Sequence, residues 1–131
     1  PYFSVCTPST FDMPSLREWW EENHEVIEEF WKREIIRWDS APETLEPWIQ
    51  EIIIKQHLWA ASMWSIFQLQ DLTGMEQSLR FTKPQEERIY RTDHPNGDTQ
   101  FRYPFTVEQL QEHSSFVSHL RELLALSGRS T

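Results

Sequence analysis

The chain has 131 residues, enough for one small domain. Its 12 Lys and Arg against 21 Asp and Glu give a net charge of −9 at pH 7 without a basic stripe, which argues against nucleic acid as a partner. No run approaches the about 18 consecutive apolar residues of a membrane span, and the single cysteine, Cys6, excludes an internal disulfide and predicts a reducing, cytoplasmic location.

Aromatic residues are unusually frequent for so polar a chain. They make up 14% of the sequence, including seven Trp, although the mean hydropathy is −0.64. Such rings form either the core of a compact helical domain or a surface for a partner or a stacked sugar ring. Composition leaves both interpretations open.

The chain begins with an apolar, β-branched stretch that predicts a strand over residues 2–7. A lone strand cannot satisfy its backbone hydrogen bonds, so we expect it to join a sheet built mostly from residues outside this chain. A helix is predicted over residues 14–37, because apolar residues recur at steps of three and four and acidic residues take the other side. Asp12 or Ser15 is expected to cap it, and Trp19 and Trp20 fall on its packed side.

A loop over residues 40–47 separates this helix from a second helix predicted over residues 47–57, with Pro47 in its first turn. Residues 62–70 form a short apolar run of strand length. The order strand, helix, helix, strand predicts a crossover of the parallel βαβ kind, with the two strands side by side in one sheet.

Three further elements complete the chain. A short helix is predicted over residues 71–79. A hairpin is predicted over residues 87–103, because Asn96-Gly97 lies between two β-prone stretches. A last helix is predicted over residues 106–127, capped by Thr106 and ended by Gly128.

Few residues carry recognisable chemistry. The five His residues show no metal-ligand spacing, and three glycines cannot build a phosphate loop, so neither a metal nor a cofactor is predicted. Asp12 follows the first predicted strand, where carboxylates of parallel barrels are catalytic. An ordinary helix N-cap is an equally good interpretation of Asp12.

Several runs together resemble a known family: Thr7-Pro-Ser-Thr-Phe-Asp-Met13, Arg17-Glu-Trp-Trp-Glu-Glu22, Ser65-Ile-Phe-Gln-Leu-Gln-Asp-Leu72, Glu86-Glu-Arg-Ile89 and Phe101-Arg-Tyr103. In order and spacing they are similar to the end of the 4-alpha-glucanotransferases of glycoside hydrolase family 77, the amylomaltases and larger disproportionating enzymes. The resemblance covers about residues 1 to 128.

The resemblance implies an α/β fold in which this chain supplies the last two βα units of a (β/α)8 barrel, with residues 2–7 as the seventh strand and 62–69 as the eighth. It implies retaining transfer of α-1,4-glucan segments between maltooligosaccharides, with the nucleophile and the acid/base in the remainder of the barrel domain. Asp12 matches the carboxylate that stabilises the transition state, and Thr10, Phe11 and Gln70 become candidate substrate-binding residues. The family has His where Phe11 stands, so the hydrogen bonding to substrate differs here.

A function of another class also fits the composition. A noncatalytic helical module could bind a partner protein through a Trp-rich face of residues 16–38. It would explain the aromatic residues and the missing nucleophile without any sugar. Paired strands that belong to a larger barrel favour the enzyme, whereas a closed helical bundle favours the module.

Overall fold

The computed structural model describes residues 2–35, 37–91 and 101–129. These residues are mostly helical and include one two-stranded sheet.

The two strands pair in parallel, as the order of elements predicts. Strand β1 (Val5–Cys6) lies beside β2 (Trp64–Ser65), with Val5 opposite Trp64 and Cys6 opposite Ser65. The predictions of strands over 2–7 and 62–70 were too long. Among the described residues each strand has a ladder partner on one side, with Met63 N–H donating to Tyr2 O at 2.8 Å and Ile66 N–H to Cys6 O at 2.9 Å. Beyond this ladder the chain leaves the strand conformation and enters helix α4 (Leu69–Thr73).

The long helix predicted over 14–37 is divided into three pieces. These are α1 (Leu16–Glu22), α2 (His24–Phe30) and a π-helical turn (Trp31–Ile35). The break falls at Asn23, which has φ −127° and ψ 53°, and whose Nδ2 donates to Trp19 O at 2.8 Å. An Asn side chain that bonds to a nearby carbonyl replaces the helical backbone bond and ends the helix.

The next helix follows its prediction closely, since α3 spans Pro47–Leu58 with proline in its first turn. The last helix, predicted over 106–127, is two helices, α5 (Val107–Glu112) and α6 (Ser114–Leu126). His113 between them is not helical, with ψ 76°, and its Nδ1 accepts from Phe116 N–H at 3.3 Å, which caps α6. Thr106 and Gln109 form the capping box of α5.

The segment predicted as a helix over 71–79 holds the end of α4 and a 3₁₀ turn (Gln77–Leu79), and a second 3₁₀ turn follows (Pro84–Glu87). The predicted hairpin turn at Asn96-Gly97 lies outside the described residues.

One core joins α1, α2, α3 and α6 and contains two of the tryptophans. Trp20 is fully buried and Trp31 is 2% exposed, and their indole N–H groups donate to Pro42 O at 2.8 Å and Asp39 Oδ1 at 3.2 Å. Trp19 is partly buried against the same core. The aromatic content is therefore in part ordinary core, as expected for Trp19 and Trp20. The other core members are Leu16, Ile27, Leu45, Ile49, Ile53, Ile54, Leu58 and Leu123.

Candidate functional site

The loop from β1 to α1 carries the predicted catalytic residue on its surface. Met13 N–H donates to Thr10 O at 3.1 Å, which closes a turn, and Thr10 Oγ1 donates to Asp12 Oδ1 at 2.8 Å. Asp12 is exposed. The interpretation of Asp12 as the helix N-cap is wrong, because the hydroxyl of Ser15 accepts the Glu18 N–H at 3.3 Å and caps α1. The Asp12 carboxylate is thus open to a ligand.

Phe11, the residue before Asp12, forms an aromatic pair. Phe11 is 58% exposed, and its ring meets that of Tyr90 edge to face with 6.1 Å between centroids. Tyr90 N–H donates to Phe11 O at 2.9 Å, so the two segments are also joined through the backbone. Tyr90 is 38% exposed. The sequence indicated Thr10 and Phe11, whereas the approach of Tyr90 comes from tertiary structure.

Gln70 is not on this surface. It is 1% exposed, its Nε2 donates to Glu87 O at 2.9 Å and to Gln68 Oε1 at 3.2 Å, and its Oε1 accepts from Tyr103 OH at 3.2 Å. Its amide is therefore occupied by neighbouring protein groups. Gln70 is therefore buried, away from the surface that carries Thr10, Phe11 and Asp12.

A buried carboxylate is hydrogen-bonded to both ends of the loop between β1 and α1. Asp71 is fully buried in α4, its Oδ2 accepts from the Ser9 hydroxyl and its Oδ1 accepts the Leu16 N–H at 3.2 Å. Burial raises the pKa of Asp71, and the bonds from Ser9 and Leu16 act against that rise. Gln68 Nε2 donates to Ser9 Oγ at 2.7 Å, so residues after β2 hold the loop after β1 at several points.

Two further buried carboxylates brace the neighbouring segments. Glu87 is 1% exposed and accepts from Arg17 Nη1 at 2.8 Å, and burial raises the pKa of Glu87. Glu18, also 1% exposed, accepts from Arg91 Nη1 at 3.0 Å, next to Tyr90. Burial and the nearby Arg17 lower the pKa of Arg80 to about 10.

Sequence reasoning missed the roles of Asp71, Glu87 and Glu18. One signal was present, because all three lie inside the runs that carry the family resemblance. In the part of the chain that the structure describes, no group of three or more His, Cys, Asp and Glu could hold a metal ion. No helix of these residues is long and apolar enough to cross a bilayer.

Comparison with known proteins identifies the family. The model of glycoside hydrolase family 77, described as 4-alpha-glucanotransferase, matches residues 1–96. The chain belongs to this family.

This family 77 chain is also similar to 4-alpha-glucanotransferase DPE2 of Oryza sativa subsp. japonica, with 35% identity over 129 residues. The alignment covers 98% of the chain and 14% of the rice protein, so the chain spans a small part of that relative's length. No solved structure matches the chain. The resemblance drawn from the sequence runs is thereby confirmed at the level of the family.

Proposed function

We propose that this chain supplies the last two βα units of a (β/α)8 barrel in a retaining 4-alpha-glucanotransferase. The substrates would be α-1,4-glucans and maltooligosaccharides, as in the metabolism of starch and maltose. Family membership and the parallel β1–β2 pair with its helical crossover support this proposal. Active sites of such barrels lie at the carboxyl ends of the strands, where Thr10, Phe11 and Asp12 follow β1.

The observation that carries the proposal is the exposed Asp12 carboxylate at this edge, held by Thr10 at 2.8 Å. In retaining transfer a nucleophilic carboxylate attacks the anomeric carbon and breaks the glycosidic bond, while an acid protonates the leaving oxygen. An acceptor hydroxyl then displaces the carboxylate and gives its proton to the same acid/base residue. Both residues would come from outside this chain. Asp12 would stabilise the positive charge that develops on the sugar.

The remainder of the barrel domain is the expected macromolecular partner. The two strands and the residues next to them expose large apolar side chains, which would pack against neighbouring strands or helices. These are Tyr2, Phe3, Val5, Trp64 and Ile66, all more than half exposed, and Phe3 is 88% exposed. The absence of a cofactor and the cytoplasmic location stay predictions.

The alternative, a protein-binding module with a Trp-rich face over residues 16–38, is not favoured. Trp20 and Trp31 of that segment are buried in the core of this chain, and only Trp38, at 94% exposure, is open to a partner. The family match supports an enzyme instead.

The substitution Asp12→Asn in the complete protein tests the proposal. It removes the charge, keeps the shape and leaves Oδ1 to accept from Thr10. We expect transfer from maltotriose to fall about 10²–10³-fold, the scale seen when a transition-state stabiliser is lost. The melting temperature should move by less than about 2 °C, because the side chain is exposed and Ser15 is the cap.

The control is Glu43→Gln, which removes an exposed negative charge from the loop before α3. It should leave transfer unchanged, since it lies on a different loop from Asp12. An Asp12→Asn protein that keeps the wild-type rate would remove Asp12 from the chemistry.

A further inference from the structure

Asp71 joins the segments that follow the two strands. It lies in α4, directly after β2, and its carboxylate receives the Ser9 hydroxyl on one oxygen and the Leu16 N–H on the other. Ser9 comes before Thr10, and Leu16 is the first residue of α1. One buried side chain therefore holds both ends of the stretch that carries Asp12.

The anchor is itself fixed. Gln50 of α3 donates from Nε2 to Asp71 O at 2.8 Å, and Arg80 Nη2 donates to Gln50 Oε1 at 2.9 Å. Gly74 makes room for this amide, because a Cβ there would lie 2.2 Å from Gln50 Nε2. The main chain at Asp71 is thus hydrogen-bonded to α3, which packs in the core.

The chemistry of the anchor is specific to a carboxylate. Its two oxygens accept from a hydroxyl and a backbone amide at once. An Asn at this position would still accept from Leu16, but its NH₂ group would face the Ser9 hydroxyl. Ser9 is 3% exposed and already receives Gln68 Nε2, so its proton would have no acceptor there.

We propose that Asp71 is a positioning residue for glycosyl transfer, which sets the location of the Asp12 carboxylate through its hydrogen bond with Ser9. This inference rests on the proposed role of Asp12. Catalytic groups lose much of their effect when displaced by about 1 Å, which can cost about 10²-fold in rate. Asp71 acts on turnover without touching the sugar.

The test measures kcat and KM for maltotriose transfer in the complete protein with Asp71→Asn, Ser9→Ala and the double variant. Each single variant breaks the same hydrogen bond, so we expect each to lower kcat on the order of 10- to 100-fold with little change in KM. The double variant should lose no more than the worse single variant, because coupled residues are not additive.

Ile54→Val is the control for a purely structural effect. Ile54 is fully buried in the core of α3, so this change lowers the melting temperature while leaving the loop bonds intact. It should keep the wild-type kcat. Ser9→Ala removes a single oxygen and decides the matter if Asp71→Asn fails to fold.

Two results would overturn the inference. If Ser9→Ala keeps the wild-type kcat, or if the effects of the two single variants multiply, Asp71 does not act through Ser9. Asp12→Asn, assayed in parallel, separates the two proposals. If Asp12→Asn loses turnover while Ser9→Ala keeps the wild-type kcat, only the role of Asp71 is refuted. If Asp12→Asn keeps normal turnover, the roles of Asp12 and Asp71 are both refuted.

Discussion

The buried ion pair between Arg17 and Glu87 allows a quantitative prediction of how much this contact stabilises the fold. Arg17 Nη1 donates to Glu87 Oε2 at 2.8 Å and to Phe81 O at 2.9 Å. The two side chains are 11% and 1% exposed. The substitution Arg17→Met keeps the apolar stem and leaves the carboxylate without its cation. Breaking a buried pair on one side costs about 3–5 kcal/mol, a large part of the about 5–15 kcal/mol that stabilises a typical domain.

The loss should depend on pH in a defined direction. Burial already raises the pKa of Glu87, and removal of Arg17 raises that pKa further. The folded state then binds the proton more tightly than the unfolded state, so the free energy of unfolding increases as pH falls through the folded pKa towards the unfolded value of about 4.3. When pH is lowered from 7 to 5, the free energy of unfolding of Arg17→Met should therefore increase by more than that of the wild type.

Urea unfolding followed by tryptophan fluorescence measures this, since Trp20 and Trp31 lie in the core. The matched variant is Arg17→Met with Glu87→Gln, which removes the buried charge. This double variant should recover most of the lost free energy of unfolding, except the part that the hydrogen bond to Phe81 O contributes. A loss below about 1 kcal/mol for Arg17→Met at pH 7, or no recovery in the double variant, would refute the reasoning.

Three further predictions concern activity and the α3–α6 contact. The 131-residue chain alone should transfer no glucose units from maltotriose above the buffer control, because Asp12 by itself supplies neither nucleophile nor proton donor; clear turnover would contradict the proposed division of the site. Phe11→His in the complete protein should raise transfer several-fold, as a hydrogen bond worth about 0.5–1.5 kcal/mol becomes possible, and an unchanged rate would mean a pocket built around Phe11. Glu51 pairs with Lys55 at 3.1 Å and with His119, which together hold the pKa of Glu51 low despite partial burial. Glu51→Gln should thus cost less than about 1 kcal/mol in urea unfolding at pH 7, and this cost should shrink as pH falls below the unfolded value of about 4.3 and through the lower folded pKa of Glu51. A cost that stays the same as pH falls through this range would be unrelated to charge.

Local sequence signals located most helices correctly but not their breaks. Pro47 and the apolar spacing that follows predicted α3 to within one residue of its observed end at Leu58. Asn23 and His113 interrupt two predicted helices, because each uses a side-chain hydrogen bond to the backbone that apolar periodicity does not register. The π-helical turn at Trp31–Ile35 has no signal in the pattern that we can identify.

The sequence by itself determined the family, the parallel order of the two strands and the placement of Thr10, Phe11 and Asp12 after β1, because these depend on residue types, their spacing and the order of elements. Tertiary structure alone decided that Ser15 caps α1 in place of Asp12, that Tyr90 lies against Phe11, and that Gln70 is buried. It also decided the contact of Asp71 with Ser9, two residues that are 62 positions apart. Their hydrogen bond exists only because the pairing of β1 with β2 brings the segments after both strands to the same edge, and no local pattern encodes that distance.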